Sequence, residues 1–131
     1  MNIVRGTPPN FRLIVAAFPF AKREGVIFTY GNTVYVNGEP HLPPQLKAHE
    51  ACHIDQQKRC GGPDPWWERY LVDHTFRLEQ ELVAHRAEYK TLRHLDRAHA
   101  ARALDFIAER LASPLYGNLI AKSEARRAIL K

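Results

Sequence analysis

The chain has 131 residues, 45% of them apolar and 25% charged, the proportions of an ordinary soluble domain. This excludes a disordered, collagen-like or coiled-coil chain, and the length suits a single domain spanning residues 1–131. The longest apolar run, Leu13–Phe20, covers eight residues and contains a proline, far short of the ~20 residues of a membrane span. No membrane partner is expected. Lys22, Arg23 and Glu24 follow that run without a small-residue cleavage pattern, so it does not read as a secretory leader and the expected location is the cytoplasm.

The formal charge of +5 is uneven. Residues 1–85 hold nine Lys/Arg against nine Asp/Glu, whereas residues 86–131 hold ten against five. A basic tail can answer an acidic partner such as nucleic acid, or it can be the solvated face of helices. Two cysteines, Cys52 and Cys60, do not make a disulfide framework. On one helix they would stand ~12 Å apart, beyond the ~7 Å that a bridge tolerates. Free thiols are expected.

The first 44 residues read as strands and turns. Phe11–Phe18 is short, rich in β-branched residues and bounded by Pro8-Pro9 and Pro19, which predicts a strand. Val26–Tyr30 and Thr33–Val36, separated by Gly31-Asn32, predict a β-hairpin. From Gln45 the pattern turns helical. A first helix is expected to reach about Arg59 and stop at Gly61-Gly62-Pro63-Asp64-Pro65. Asp64 before Pro65 reads as an N-cap with proline at the first helical position. Trp67, Leu71, His74, Leu78, Leu82, His85, Tyr89 and Leu92 then recur every three or four residues, the face of one long helix or of two in series. A further amphipathic segment carries Leu104, Ile107, Ala108 and Leu111, Ser113-Pro114 breaks it, and a basic segment closes the chain. Strands first and helices after predict an α+β fold: residues 1–44 the strand region, 45–95 the helices of the site, 96–131 basic helices.

His49-Glu50-Ala51-Cys52-His53 carries the chemistry. Positions four apart on a helix differ by only ~40° in azimuth, so both imidazoles can face one ion. Glu50 stands to the side, where it can reach a water activated by that ion and take its proton. A catalytic zinc site needs a third protein ligand and an open fourth position. Gly and His three and six residues past His53 would supply it, but Gln56 and Arg59 stand there. The third ligand must therefore lie downstream, where Glu81, His85 and Glu88 share a helical face with His74 and Leu78. Ionisable groups on a core-facing stripe are costly unless they are paired or bind metal. Glu79, ~200° from Glu81, should face solvent. Cys52 reads as a small hydrophobe packed on the sheet. A structural Cys/His site from His49, Cys52, His53 and Cys60 is disfavoured, because Cys60 lies about three turns from His49. Trp66 and Trp67 read as packing where the second helix begins, and His41, His94 and His99 as exposed.

A His-Glu-x-x-His helix, a Gly/Pro loop and a second helix bearing Glu81-x-x-Ala84 resemble the gluzincin branch of the zincin metallopeptidases. Most similar are the small single-domain enzymes of this kind in bacterial and phage genomes, where glutamines such as Gln56-Gln57 and an aromatic stretch such as Trp66-Trp67-Glu-Arg-Tyr70 are common. The resemblance covers roughly residues 28–92. It implies a zincin-like fold with a short N-terminal antiparallel sheet on the metal helix and a helical C-terminal half. It further implies Zn2+ held by His49, His53 and Glu81, with Glu50 as general base in peptide hydrolysis. His85 departs from the aromatic residue usual there; a role in steadying the oxyanion falls to it, Tyr70 or Tyr89. So small a sheet suggests a shallow, open cleft and a protein or flexible peptide substrate. The alternative function is a non-catalytic binding or assembly module that uses the basic C-terminal helices, on nucleic acid or protein.

Overall fold

The computed structural model describes residues Met1–Lys131. Three short strands, β1 (Asn2–Arg5), β2 (Ile27–Tyr30) and β3 (Thr33–Val36), form one sheet in the order β1-β3-β2. The expected hairpin is present: β2 and β3 pair antiparallel, with Ile27 opposite Val36 and Tyr30 opposite Thr33. Gly31 takes φ 64° at the first central position of the connection, where a two-residue type II′ turn requires a positive φ. The sheet is mixed rather than antiparallel, because β1 adds to β3 in parallel.

The second departure is α1. Phe11–Ala17 is a helix, followed by a 3-10 turn at Pro19–Lys22, not a strand. Its burial shows why: Ile14 and Phe18, four apart, enter the core while Leu13 stays 61% exposed. With β1 already on the free edge of β3, this segment packs its one buried stripe against the aromatic residues of the later helices.

The helix α2 (Pro44–Arg59) opens with proline in its first turn. It closes in a Schellman motif: Gly62 N–H donates to Gln57 O (2.8 Å) and Gly61 N–H to Lys58 O (3.3 Å), with Gly61 at φ 93°. The next helix, α3 (Pro63–Val72), starts two residues before the expected point. Asp64 is therefore not its N-cap; it lies in the first turn and accepts the Tyr30 hydroxyl (2.6 Å). The predicted periodic face divides into α3 and α4 (His74–Leu92), two helices in series, and Asp73 caps α4 by accepting from Phe76 N–H (3.0 Å). After α5 (Arg97–Leu111) and a 3-10 turn at Pro114–Tyr116 comes α6 (Lys122–Leu130). The architecture is α+β, six helices and a small sheet. No helix is long and apolar enough to cross a membrane.

The helix α4 organises the rest. One side packs on α2; the other, through Leu78, Leu82, Tyr89 and Leu92, meets the α5–α6 core of Leu104, Ile107, Leu111, Ala125 and Ile129. A separate aromatic core joins α1 and the sheet to α3 through Ile14, Phe18, Phe28, Trp66, Trp67 and Tyr70. The two tryptophans pack as expected, each with its N–H satisfied: Trp66 by Gln80 Oε1 (2.9 Å) and Trp67 by Thr29 O (2.9 Å).

The helix α2 is tied to the edge strand β2 by polar contacts. Gln57, buried, donates to Thr29 O (2.8 Å) and accepts from Gly31 N–H (2.7 Å). The Thr29 hydroxyl reaches Glu50 (2.7 Å). Arg77, buried in α4, binds two carbonyls, Tyr70 O (2.7 Å) and Tyr116 O (2.9 Å), and so holds the turn after α5 against α3. Gly117 is required beside it. At φ 89°, a Cβ there would meet Phe18 at 3.2 Å and the Arg77 guanidinium at 3.1 Å.

Candidate metal centre

Six ionisable side chains, His49, Glu50 and His53 from α2 and Glu81, His85 and Glu88 from α4, are buried where these helices meet. His49 and His53 bring their Nε2 atoms to 3.3 Å. The Glu81 carboxylate lies 3.5 Å from each, Oε2 toward His49 and Oε1 toward His53. Ligands ~2.0–2.1 Å from one tetrahedral ion stand about 3.3 Å from one another. The two imidazoles thus hold the separation that a shared ion imposes, and Glu81 approaches each of them through a different oxygen.

The outer nitrogens support the same reading. His49 Nδ1 donates to Glu88 Oε1 (2.9 Å), and His53 Nδ1 donates to Gln56 Oε1 (2.8 Å). Gln56 is fixed in turn by donating to Gln80 O (3.0 Å). With each Nδ1 carrying the proton, each Nε2 can present a lone pair inward, the pattern of metal-bound histidine. Tyr70 donates to Glu81 Oε1 (2.6 Å), while Glu81 Oε2 is buried without a partner. An orphaned carboxylate oxygen facing two imidazoles is costly unless a cation accepts it.

The charge states follow. Burial alone would lower the proton affinity of His49, but the facing carboxylates of Glu81 and Glu88 outweigh it and raise this imidazole to about 10. His53 is raised as well, against burial, chiefly by the negative charge of Glu81. Burial would raise Glu81, yet the two histidines hold it well below its ordinary value. Glu88 is likewise held down against burial, at about 2, by His49 and Arg110. Protons on the histidines therefore balance the carboxylates, and a divalent ion could take their place.

His85 is fully buried and behind these ligands. Its Nδ1 donates to Glu81 O (2.6 Å), its ring edges onto His49 with centroids 4.7 Å apart, and its Nε2 has no partner. Burial lowers it to about 3, so it is neutral. A ligand atom from each of His49, Glu81 and His85 lies within 4.8 Å of the others, so this buried trio could also hold an ion. His49 and Glu81 are common to both sets; His53 or His85 completes them. Of the other downstream candidates, Glu88 touches His49 from outside and His74 is exposed at the first residue of α4. Glu79, His41, His94 and His99 are exposed, as expected. Neither cysteine joins the cluster; both thiols are free, and burial raises that of Cys52.

A cavity of about 640 Å3 opens directly on His49, Glu50, His53 and Glu81. His85 does not line it, and Tyr89 lies on the opposite side of α4 in the α5–α6 core. Tyr70 lines it, but its hydroxyl is committed to Glu81. The tyrosine that the sequence reading missed is Tyr116, from the turn after α5. It lines the cavity, its ring edges onto His85 (5.3 Å), and burial, then the charge of Glu81, raise its phenol well above the ordinary value. Ser113-Pro114 and Gly117 mark a turn there, but nothing local tells which way it faces. Thr29 was also missed, although a polar residue among apolar neighbours in a strand was a visible signal.

No protein-family model matches the chain, and neither a curated protein nor a solved structure matches it. Replacing Glu88 by Gln keeps the shape but removes the charge that orients His49. The expected outcome is about 10–100-fold weaker binding of a divalent probe ion such as Co2+, read by calorimetry; unchanged affinity would contradict that role.

Proposed function

We propose that the chain is a zinc-dependent peptidase of the zincin kind, acting on a protein or peptide substrate. The observation that carries this reading is the position of Glu50. It is next to a ligand histidine in sequence, yet its carboxylate stands on the cavity wall, hydrogen-bonded to Thr29 rather than to the ligand cluster. A base needs to be held so, close to the ion but not bound to it. His49, His53 and Glu81 would hold zinc, which supplies an acidified water and polarises the substrate carbonyl. Glu50 takes a proton from the attacking water and returns it to the amide nitrogen as the C–N bond breaks. One water is thereby added across the bond, leaving an acid and an amine. Tyr116 offers a hydroxyl to the carbonyl oxygen as it gains charge. His85 supports His49 from behind rather than meeting the substrate.

A second reading, a binding module for nucleic acid, has one observation in its favour. Arg86, Lys90 and Arg93 of α4 and Lys131 line a groove of about 300 Å3 with no acid among its residues. Three other C-terminal cations are paired with acids: Lys122 and Arg126 share Asp105, and Arg110 meets Glu88.

The two readings separate experimentally. Glu50→Gln should keep its zinc while hydrolysis of a fluorogenic peptide library falls by about 10²–10⁴-fold; equal turnover would refute the base. Duplex DNA should bind only weakly, by fluorescence anisotropy at low salt, if the peptidase reading is complete. Tight binding that falls steeply between ~50 and ~200 mM salt would favour the module.

A further inference from the structure

Arg110, in the last turn of α5, extends into the same cavity with 21% of its side chain exposed. One of its amino groups is bound by Glu88. That partner is already shared, because the same oxygen, Glu88 Oε1, accepts from His49 Nδ1 (2.9 Å). The Arg110 Nε–H is shut off from solvent and has no acceptor at all. A guanidinium has five N–H donors in a planar fork, and here they are not all satisfied. Arg77 makes the contrast: it does not line the cavity, and its Nε and one amino group are committed to the backbone carbonyls of Tyr116 and Tyr70. Arg23, the other arginine of the cavity, is exposed and lies over the Phe20 ring (4.4 Å). Arg110 is thus a half-buried cation of the cavity wall, held at one amino group by Glu88, whose other amino group has no protein partner and is not sealed from the space beside the candidate ligands.

What could meet it is limited by the rest of the wall. Phe18, Val26, Leu46 and Leu115 present apolar surface, and Glu24, Glu50 and Glu81 present carboxylates. These acids disfavour a doubly charged group such as a phosphate. A single carboxylate attached to an apolar body fits both sides, since a guanidinium fork receives a carboxylate in two parallel hydrogen bonds. A single carboxylate oxygen separates Arg110 from the ring of His49. A group bound to Arg110 would therefore lie within about two extended residues (~7 Å) of the ligand histidine.

We propose that this cavity receives the carboxyl-terminal residue of a peptide, its carboxylate on Arg110 and its side chain against the apolar wall. The proposal rests on the peptidase reading and gives it a substrate class, peptides cleaved next to a free carboxyl terminus. Arg110 is then a specificity-determining residue, and Glu88 sets its position as well as that of His49.

Both tryptophans of the chain, Trp66 and Trp67, line the cavity, so their fluorescence reports what enters it. The zinc-loaded protein would be titrated with N-acetyl-phenylalanine and with N-acetyl-phenylalaninamide, which differ only in the carboxylate. The acid is expected to bind at least tenfold more tightly than the amide. In Arg110→Gln that preference should fall to within about twofold while zinc content is unchanged. Arg110→Lys, which keeps the charge but loses the fork, should retain an intermediate preference and carries the test if the Gln variant does not fold. Equal affinity for acid and amide in the parent would overturn the proposal. So would an acid preference that survives in both variants, since the carboxylate would then be held by the metal. Binding is read without turnover, so loss of the carboxylate site and loss of the peptidase reading are separate results.

Discussion

The contact between α2 and α4 buries two carboxylates and three imidazoles, Glu81, Glu88, His49, His53 and His85, in a space that apolar side chains would ordinarily fill. Charge of this density is tolerated in a protein interior only when it is compensated within hydrogen-bonding distance. Protons can do this, as the raised affinities of His49 and His53 indicate. A divalent ion could also do it, because it would take up imidazole lone pairs and the unpartnered Glu81 oxygen at once. The shape of this interface depends on that compensation, and so does the position of the sheet that α2 carries.

Around this layer the polar contacts form a second ring. Tyr70 fixes Glu81, Gln56 fixes His53, Glu88 fixes His49, and Thr29 fixes Glu50. Each comes from a different element, so the geometry of the ligands is set by packing of the whole domain and not by one helix. Thr29 O is the clearest junction: it accepts from both Gln57 and Trp67, tying the edge strand to α2 and α3. Partners from several rigid elements fix the orientation of each of these side chains.

The centre of the site was legible in the sequence because it is local. His49, Glu50 and His53 need only the helical repeat to be brought together, and the glycine pair at 61 and 62 marks the helix end without help from tertiary structure. The hairpin at Gly31-Asn32 is local in the same sense. Periodicity and the cost of burying charge led to Glu81, His85 and Glu88 together; only the resemblance to gluzincins singled out Glu81 among them. What stayed hidden depends on distant packing. Phe11–Ala17 has the composition of a strand, and only the burial of Ile14 with Phe18 makes it a helix. The parallel pairing of β1 with β3 leaves no sequence signature. Tyr116 and Arg110 enter the site from α5 and the turn after it, where they resemble any aromatic at a turn and any basic residue on a solvated face.

The most direct measurement is the metal content of tag-free protein, purified without chelator and supplied with zinc, beside a Glu81→Ala variant. Elemental analysis should find one zinc per chain in the parent and its loss, or a much weakened hold, in the variant. No zinc in the parent, or full retention without Glu81, would contradict an ion held between α2 and α4 by His49, His53 and Glu81.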